Sequence, residues 1–289
     1  MHDSTEILER TFARLEELYS SEGLRPGKFI AAGLKPGWNV VIGSDGQCGM
    51  AMGFTDPGGA FGKPEMDIER LGSCSGKDLF EVADYYIARS GWHERSIGVA
   101  SLSALSQPFL TAEMLAKRGY TDLGSAVDLT SFVKPEDIVT VIGYGGSIKR
   151  LLGRCRELHV TDLRPRAAFQ TLLVGETIAY TPAEVIVHPE TENREAIGRA
   201  DIVWITGSSL VNGTFGELTG YAASARMVGM YGASASLLPD ALFDAGVSFI
   251  HSYRVSDPAS FEWGARNDTH MEQIMKTTQQ QYVIQRQPR

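Results

Sequence analysis

Apolar residues follow two different periods in the first part of this 289-residue chain. In residues 3–20 and 77–87 they recur every three to four positions, which predicts amphipathic helices. Residues 38–43 and 48–54 are instead short apolar runs on either side of a turn whose residues tolerate positive φ, which predicts a β-hairpin. Glycine and proline interrupt residues 56–76, where we expect mostly loop. This part of the chain therefore predicts an α+β domain.

The second part alternates short apolar segments with helical ones. The six predicted strands are residues 137–142, 157–161, 184–187, 201–206, 227–231 and 247–250. Strands that are apolar on both faces and alternate with helices indicate a parallel sheet with crossover connections. We therefore predict an α/β protein, with an α+β domain over residues 1–122 followed by a Rossmann-like, doubly wound, mostly parallel sheet over residues 123–289. A final helix is expected over residues 269–285.

Composition narrows the classes of partner and location. The formal net charge of −8 argues against a general affinity for nucleic acid or for anionic membrane surfaces. No run approaches the ~20 apolar residues of a membrane span, and the N-terminus lacks the pattern of a signal peptide, so a cytoplasmic location is expected. Three cysteines without a paired spacing indicate reduced thiols. A homo-oligomer, by default a dimer, is expected.

A glycine turn follows the first predicted strand and opens a helical segment. Its candidate ligand-binding residues are Gly143, Gly145, Gly146 and Ser147. Asp162 ends the next strand, where a Rossmann fold places an acid on ribose hydroxyls. The third glycine of the dinucleotide-binding pattern is replaced by Ile148, however. A tight turn at the glycines and a capping role for Asp162 therefore remain open as alternatives.

Two further loops of small and polar residues follow the fourth and fifth predicted strands. Their candidate binding residues are Thr206, Gly207, Ser208, Ser209, Asn212 and Thr214 in one loop, and Tyr231, Gly232 and Ser234 in the other. Parallel strands bring such loops to one edge of the sheet, so the three loops together predict a pocket. A helix N-cap with an elaborate turn is the alternative for the loop after the fourth strand.

Several of these segments together resemble the family described as “Putative heavy-metal chelation”. The segments that carry the resemblance are residues 46–51, 94–105, 141–143, 205–214, 232–234 and 238–247. The resemblance implies an enolase N-terminal-like α+β domain packed on a Rossmann-like domain, with the site in the cleft between them. Ser103 stands where this pattern commonly has asparagine, and residues 262–267 replace a more glycine-rich stretch.

The sequence does not identify a metal ligand or a catalytic residue. The six histidines lack metal-binding spacings, and only isolated carboxylates such as Asp45, Asp128 and Asp162 remain as oxygen ligands. Because no nucleophile elbow or Walker loop is present, hydrolase and phosphoryl-transfer classes are excluded.

These observations leave three functions open. We expect the cleft to bind a small anionic ligand or a metal complex, in a role such as heavy-metal chelation or handling, with a divalent metal ion as one candidate cofactor. The alternative is an enzyme that acts on a small metabolite with an adenosine-containing cofactor, either S-adenosylmethionine or a nicotinamide nucleotide. A protein that binds a partner and leaves its crevice unused is the third.

Overall fold

A computed structural model describes residues 3–35, 37–54, 66–127, 129–145, 148–168, 171–175, 178–181, 184–267 and 270–287. Its α-helices are α1 (Ser4–Ser21), α2 (Ile68–Gly72), α3 (Leu79–Ile87), α4 (Trp92–Ser106), α5 (Ala112–Lys117), α6 (Ile148–Leu151), α7 (Asn193–Gly198), α8 (Ser208–Asn212), α9 (Phe215–Tyr221), α10 (Asp240–Asp244), α11 (Pro258–Arg266) and α12 (Met271–Thr278). Its strands are β1 (Phe29–Lys35), β2 (Trp38–Gly43), β3 (Cys48–Met52), β4 (Tyr120–Asp122), β5 (Ile138–Ile142), β6 (Glu157–Asp162), β7 (Thr171–Val174), β8 (Ile178–Thr181), β9 (Val185–Pro189), β10 (Ile202–Thr206), β11 (Met227–Tyr231), β12 (Phe249–Val255) and β13 (Gln279–Arg286).

The N-terminal part of the chain, which precedes β4, folds as a three-stranded antiparallel sheet packed on helices. Strands β1, β2 and β3 are neighbours in that order, and the predicted hairpin is the β2–β3 pair. Asp45 and Gly46 turn the chain with φ of 60° and 76°. Gly49 lets β3 approach α4, because a Cβ there would lie 2.1 Å from the Ala100 carbonyl oxygen. Strand β1 was not predicted.

The C-terminal part, from β4 onward, contains an eight-stranded sheet in the order β4-β13-β12-β11-β10-β5-β6-β9. The six strands from β12 to β9 run parallel, and numbered along the chain they have the order 3-2-1-4-5-6 of a Rossmann fold. All six are the strands predicted from the sequence. Side chains of α6 pack with β5 and β6 on one face, and Thr140 of β5 donates to Ala196 of α7 on the other. The predicted doubly wound α/β fold is therefore confirmed.

Two antiparallel strands extend this sheet. The helix predicted over residues 269–285 is wrong beyond Thr278, because β13 begins at Gln279 and pairs with β12. Tyr282 and Ile284 are fully buried there, so pairing and burial override a weak helical pattern. Strand β4 pairs with β13 and ends at Asp122. The domain boundary between residues 122 and 123 stays a prediction.

The two parts share one hydrophobic core. A single cluster contains Ile7 and Leu8 of α1 together with Leu210 and Phe215 of the C-terminal part. Ser4 of α1 also accepts a hydrogen bond from the Phe215 backbone N–H at 3.1 Å. Because packing and a hydrogen bond both cross the boundary, the N-terminal part is fixed against the sheet. Among the residues described above, none forms a helix long and apolar enough to cross a membrane.

Candidate functional site

A cleft of about 550 Å³ opens at the carboxyl ends of β5 and β10, where the strand order of the parallel sheet reverses. It is lined by Gly37, Trp38, Met52, Phe54, Ile142, Gly143, Tyr144, Gly145, Thr161, Asp162, Leu163, Arg164, Glu190, Asn193, Thr206, Ser208, Ser209, Asn212, Thr214, Leu218, Tyr231 and Glu272. The cleft therefore draws on all three of the predicted loops and on the β2–β3 hairpin.

The glycine turn forms one wall. Gly143 has φ of +91°, a conformation that side-chain-bearing residues rarely adopt. The Tyr231 hydroxyl lies 2.8 Å from the carbonyl oxygens of both Ile142 and Gly143, to which it donates. This contact ties the end of β11 to the turn. Gly145 also lines the cleft, whereas Gly146 and Ser147 lie outside the described residues.

Tyr231 remains a hydrogen-bond donor over a wide pH range. Burial raises the pKa of its phenol, and the nearby Asp162 carboxylate raises it further. The protonated hydroxyl is the form that donates to the two carbonyl oxygens. We therefore assign Tyr231 to holding the glycine turn in place.

Asp162 is engaged within the protein. Its Oδ2 accepts the Tyr144 backbone N–H at 2.7 Å, and its Oδ1 accepts the Arg164 backbone N–H at 2.8 Å. The Arg164 guanidinium binds the same two oxygens at 3.0 and 2.9 Å. With both oxygens occupied, the carboxylate fixes the loops after β5 and β6. These contacts favour the capping alternative over a ribose contact.

The end of β10, helix α8 and the residues that follow it supply five polar side chains to the wall, where a loop was predicted. Thr206 and Ser208 share a hydrogen bond between their hydroxyls at 2.9 Å, and the Ser209 hydroxyl donates to the Thr206 carbonyl oxygen at 2.7 Å. Asn212 Oδ1 accepts from the Thr214 hydroxyl at 2.8 Å. All five side chains line the cleft, so the loop presents an ordered set of hydroxyl and amide groups.

Three predicted binding residues lie behind the wall and are not part of the cleft lining. Gly207 packs against the loop after β11, since a Cβ there would lie 2.4 Å from the Ala235 backbone nitrogen. Gly232 has φ of +95° at the start of that loop. Ser234 Oγ accepts the Met52 backbone N–H at 2.8 Å, which connects β3 to the C-terminal part. In this structure these residues shape the cleft from behind.

Several lining residues were not predicted from the sequence. Trp38 and Met52 are register partners at the open end of the β2–β3 hairpin. Counting outward from the predicted turn could have paired them from the sequence. Glu190 and Asn193 follow the carboxyl end of β9. Loops at the carboxyl ends of parallel strands lie at the same edge of the sheet, so these residues could also have been placed there. Glu272 comes from α12 and had no such signal.

The cleft contains unsatisfied polar atoms and an excess of negative charge. Among the described residues, the buried Thr161 Oγ1 and Asn193 Oδ1 have no hydrogen-bond partner. Buried polar atoms normally have partners, so these two mark positions where a ligand could bind. Among the lining residues that the structure describes, three carry carboxylates, Asp162, Glu190 and Glu272, and Arg164 carries a guanidinium.

The described residues contain no group of three or more histidine, cysteine, aspartate or glutamate side chains that could hold a metal ion. The three cysteines are free thiols, and burial raises the pKa of Cys48 to about 12. A neutral buried thiol is a poor metal ligand, because the thiolate is the ligating form. Asp128, one of the oxygen ligands considered from the sequence, lies outside the described residues.

Replacing Ser234 by alanine is expected to lower the free energy of unfolding by about 1–2 kcal/mol, because the Met52 N–H loses its acceptor. Urea denaturation measures the change, and alanine at the exposed Ser75 serves as the control. An equal effect at both positions would contradict the role of Ser234 in connecting the two parts.

The fold and the site define a doubly wound α/β protein with a cleft at the switch point of its sheet. The chain belongs to the family described as “Putative heavy-metal chelation”, whose model matches residues 125–284, more than half of the chain. A second family model with the same description matches residues 24–106.

Two solved structures from the family of the first match are similar to this chain. A protein with unknown function from Pyrococcus horikoshii has a TM-score of 0.70 at 19% identity, over 96% of this chain and 99% of that one. Another protein with unknown function, from Desulfitobacterium hafniense, has a TM-score of 0.65 at 19% identity, over 94% and 98%. At this identity the likeness establishes the fold alone. No curated protein matches the sequence significantly.

Proposed function

We propose that the cleft binds a metal complex of a small molecule, in which the small molecule supplies the ligands to the metal. The observation that supports this proposal is the charge of the described lining residues, which include three carboxylates and one guanidinium. A pocket with this excess attracts a cation and repels an anion. Of the two ligand classes expected from the sequence, the charge favours a positively charged metal complex over a small anion.

The other lining residues support an organic ligand. Trp38, Met52 and Phe54 give the cleft an apolar wall from the N-terminal part. Opposite them, the hydroxyls of the loop after β10 and the unpartnered atoms of Thr161 and Asn193 offer hydrogen bonds. Apolar walls with a few placed polar groups are typical of small-molecule sites. The family description, heavy-metal chelation, agrees with a metal-bearing ligand.

The enzyme with an adenosine-containing cofactor is less well supported. That interpretation required Asp162 to face ribose hydroxyls, whereas both of its oxygens bind Arg164 and backbone N–H groups. A ribose would have to compete with a charge-assisted, bidentate contact. We therefore propose ligand binding without assigning a catalytic residue.

The domain organisation and assembly state belong to the same proposal. We propose an α+β domain over residues 1–122 and a Rossmann-like domain over residues 123–289, so that the cleft lies at their junction. We also propose a homo-oligomer, by default a dimer. Light scattering after size-exclusion chromatography measures the mass, and a monomer at micromolar concentration would contradict the dimer.

Three probes of different charge test the binding proposal. They are Ni²⁺ alone, the cationic complex of Ni²⁺ with triethylenetetramine, and the anionic complex of Ni²⁺ with nitrilotriacetate. We expect only the cationic complex to raise Tm and to give a saturable heat in calorimetry. At 100 times its Kd, a ligand specific for the folded state stabilises it by about 2.7 kcal/mol. Tighter binding of the anionic complex would overturn the proposal.

Replacing both Glu190 and Glu272 by glutamine is expected to weaken binding of the cationic complex about tenfold, because two negative charges are lost from the lining. The matched control is Glu195→Gln, which removes a charge from the exposed side of α7 outside the lining. Calorimetry compares the Kd values at low ionic strength. Equal weakening in the control would point to general surface charge.

A further inference from the structure

Four side chains behind the wall of the cleft form a continuous hydrogen-bonded chain. Glu157 Oε2 lies 3.0 Å from His159 Nε2, His159 Nδ1 lies 2.8 Å from His188 Nε2, and His188 Nδ1 lies 2.7 Å from Glu192 Oε2. The His159 side chain is only 2% exposed, whereas that of Glu192 is half exposed. The Glu157 side chain at the other end is 31% exposed, so the chain passes through a buried imidazole between two partly exposed carboxylates.

This chain joins the edge strand β9 to β6 next to the cleft. His188 is the register partner of Thr161, which lines the cleft. Glu190 and Asn193, which also line the cleft, follow His188 by two and five residues. The hydrogen bonds of His188 therefore hold the start of the wall segment, residues 188–193, against the sheet.

The pair must carry a charge if all three contacts are hydrogen bonds at the same time. Each carboxylate accepts a hydrogen bond, so His159 Nε2 and His188 Nδ1 both carry hydrogen. The two remaining nitrogens face each other at 2.8 Å and form a hydrogen bond only if one of them also carries hydrogen. Three protons on four ring nitrogens make the pair a monocation.

The ring geometry favours a proton over a metal ion between these nitrogens. The ring centroids are 5.1 Å apart, the planes differ by 19°, and the nearest nitrogens are 2.8 Å apart, so the rings meet edge to edge. A metal ion needs about 2.0–2.1 Å to each nitrogen and does not fit on a 2.8 Å line between them. A hydrogen-bonded proton fits without movement of either ring.

We propose that His159 and His188 share one proton, and that this proton fixes the wall segment, so that the shape of the cleft is linked to proton binding. The inference does not depend on which ligand the cleft takes. When the proton leaves, the two neutral rings have only two N–H groups for three contacts, so one side-chain hydrogen bond is lost while the backbone pairing of β6 with β9 remains. The wall segment is then held less tightly.

The surroundings decide which ring is charged. Burial lowers the pKa of His159, and His188 and Arg199 lower it further, against the opposing effect of Glu157. These effects favour the neutral form of His159, so that its Nδ1 is the acceptor between the two rings. The charged residues on and beside the packed elements include Arg156, Glu157, Asp162, Arg166, Glu190, Glu192 and Arg199, with the exposed Arg194 and Glu195 of α7.

The wall segment is expected to loosen both when the pH falls and when it rises, for two different reasons. Because the folded state lowers the pKa of His159, its contribution to stability is complete above the ordinary imidazole pKa of about 6.5 and is lost as the pH falls. As the pH rises, loss of the shared proton loosens the wall segment. We expect hydrogen exchange in residues 184–198 to be slowest at intermediate pH, above the range where His159 becomes protonated and below the range where the shared proton is lost.

Nitrogen NMR of the histidine rings tests the proposal on the intact protein. At pH 7.5, the two rings together should show three protonated nitrogens. In Glu192→Gln, the shared proton should leave at a lower pH, because the opposite charge 2.7 Å from His188 Nδ1 is removed. Hydrogen exchange in residues 184–198 should accelerate at that lower pH as well. Glu195→Gln is the control and should titrate like the natural protein.

Two outcomes would overturn the inference. One is a pair with only two protonated ring nitrogens at pH 7.5, or loss of the shared proton at the same pH in Glu192→Gln and the natural protein. The other is displacement of both histidine signals by one equivalent of Zn²⁺, which would show that a metal ion occupies the position assigned to the proton. Failure of the nickel complexes to bind the cleft would leave both readouts intact, so the two proposals fail separately.

Discussion

Alanine at Gly207 is expected to lower the free energy of unfolding by about 3 kcal/mol. The backbone there has φ of −59°, which suits alanine, so the cost is purely steric. A Cβ would lie 2.4 Å from the Ala235 nitrogen and 2.8 Å from the Ser234 carbonyl carbon. Both are backbone atoms that cannot rotate away, so the loops after β10 and β11 must separate. Urea denaturation measures the loss.

Gly145→Ala is the matched control, since, apart from its chain neighbours, none of the described residues has an atom within 4 Å of its Cβ position. It should change the free energy of unfolding by less than about 1 kcal/mol. Because the two loops lie on the same side of the cleft, Gly207→Ala should also weaken ligand binding. Ser234→Ala should affect binding less, because it removes the hydrogen bond to the Met52 N–H of β3 without forcing the loops apart. Unchanged stability in Gly207→Ala would contradict the close packing of the loops.

The sheet was predictable because its strands are simple local signals. Each of β5, β6, β9, β10, β11 and β12 is a short apolar run between helical segments, and parallel strands buried on both faces leave this pattern. Because the carboxyl ends of parallel strands lie at one edge of the sheet, the three loops could be placed together without knowledge of any contact. Strand β13 was missed because its own apolar pattern does not predict a strand. It becomes a strand by pairing with β12.

The roles of individual residues were less predictable than their location. A glycine at a loop suggests approach of a ligand, but Gly207 serves the approach of another loop. Asp162 matched the position of a ribose-binding acid, and the contact that occupies it comes from Arg164, two residues further on. The position of a residue in the sequence predicted which edge of the sheet it lies at. Which partner it finds there depends on orientations that only the folded chain fixes.

Alanine at Asp162 should lower the free energy of unfolding by about 3 kcal/mol. The substitution leaves the Arg164 guanidinium without its carboxylate and removes the acceptor of two backbone N–H groups. Breaking a buried pair costs about 3–5 kcal/mol, and the lower end applies because the Arg164 side chain is 32% exposed. Urea denaturation checks this value. Glu262→Ala, which breaks the exposed pair with Arg266, should cost less than about 1 kcal/mol.

A double-mutant cycle of Asp162→Ala and Arg164→Ala separates the structural role of Asp162 from a role in ligand binding. Removal of both side chains should cost less than the sum of the single changes, because the second removes a charge that the first left unpaired. If Asp162→Ala leaves stability unchanged and abolishes binding of an adenosine-containing cofactor, the carboxylate faces a ligand and the enzyme alternative returns. If stability falls as expected and such cofactors do not raise Tm in any variant, Asp162 fixes the loops that form the cleft.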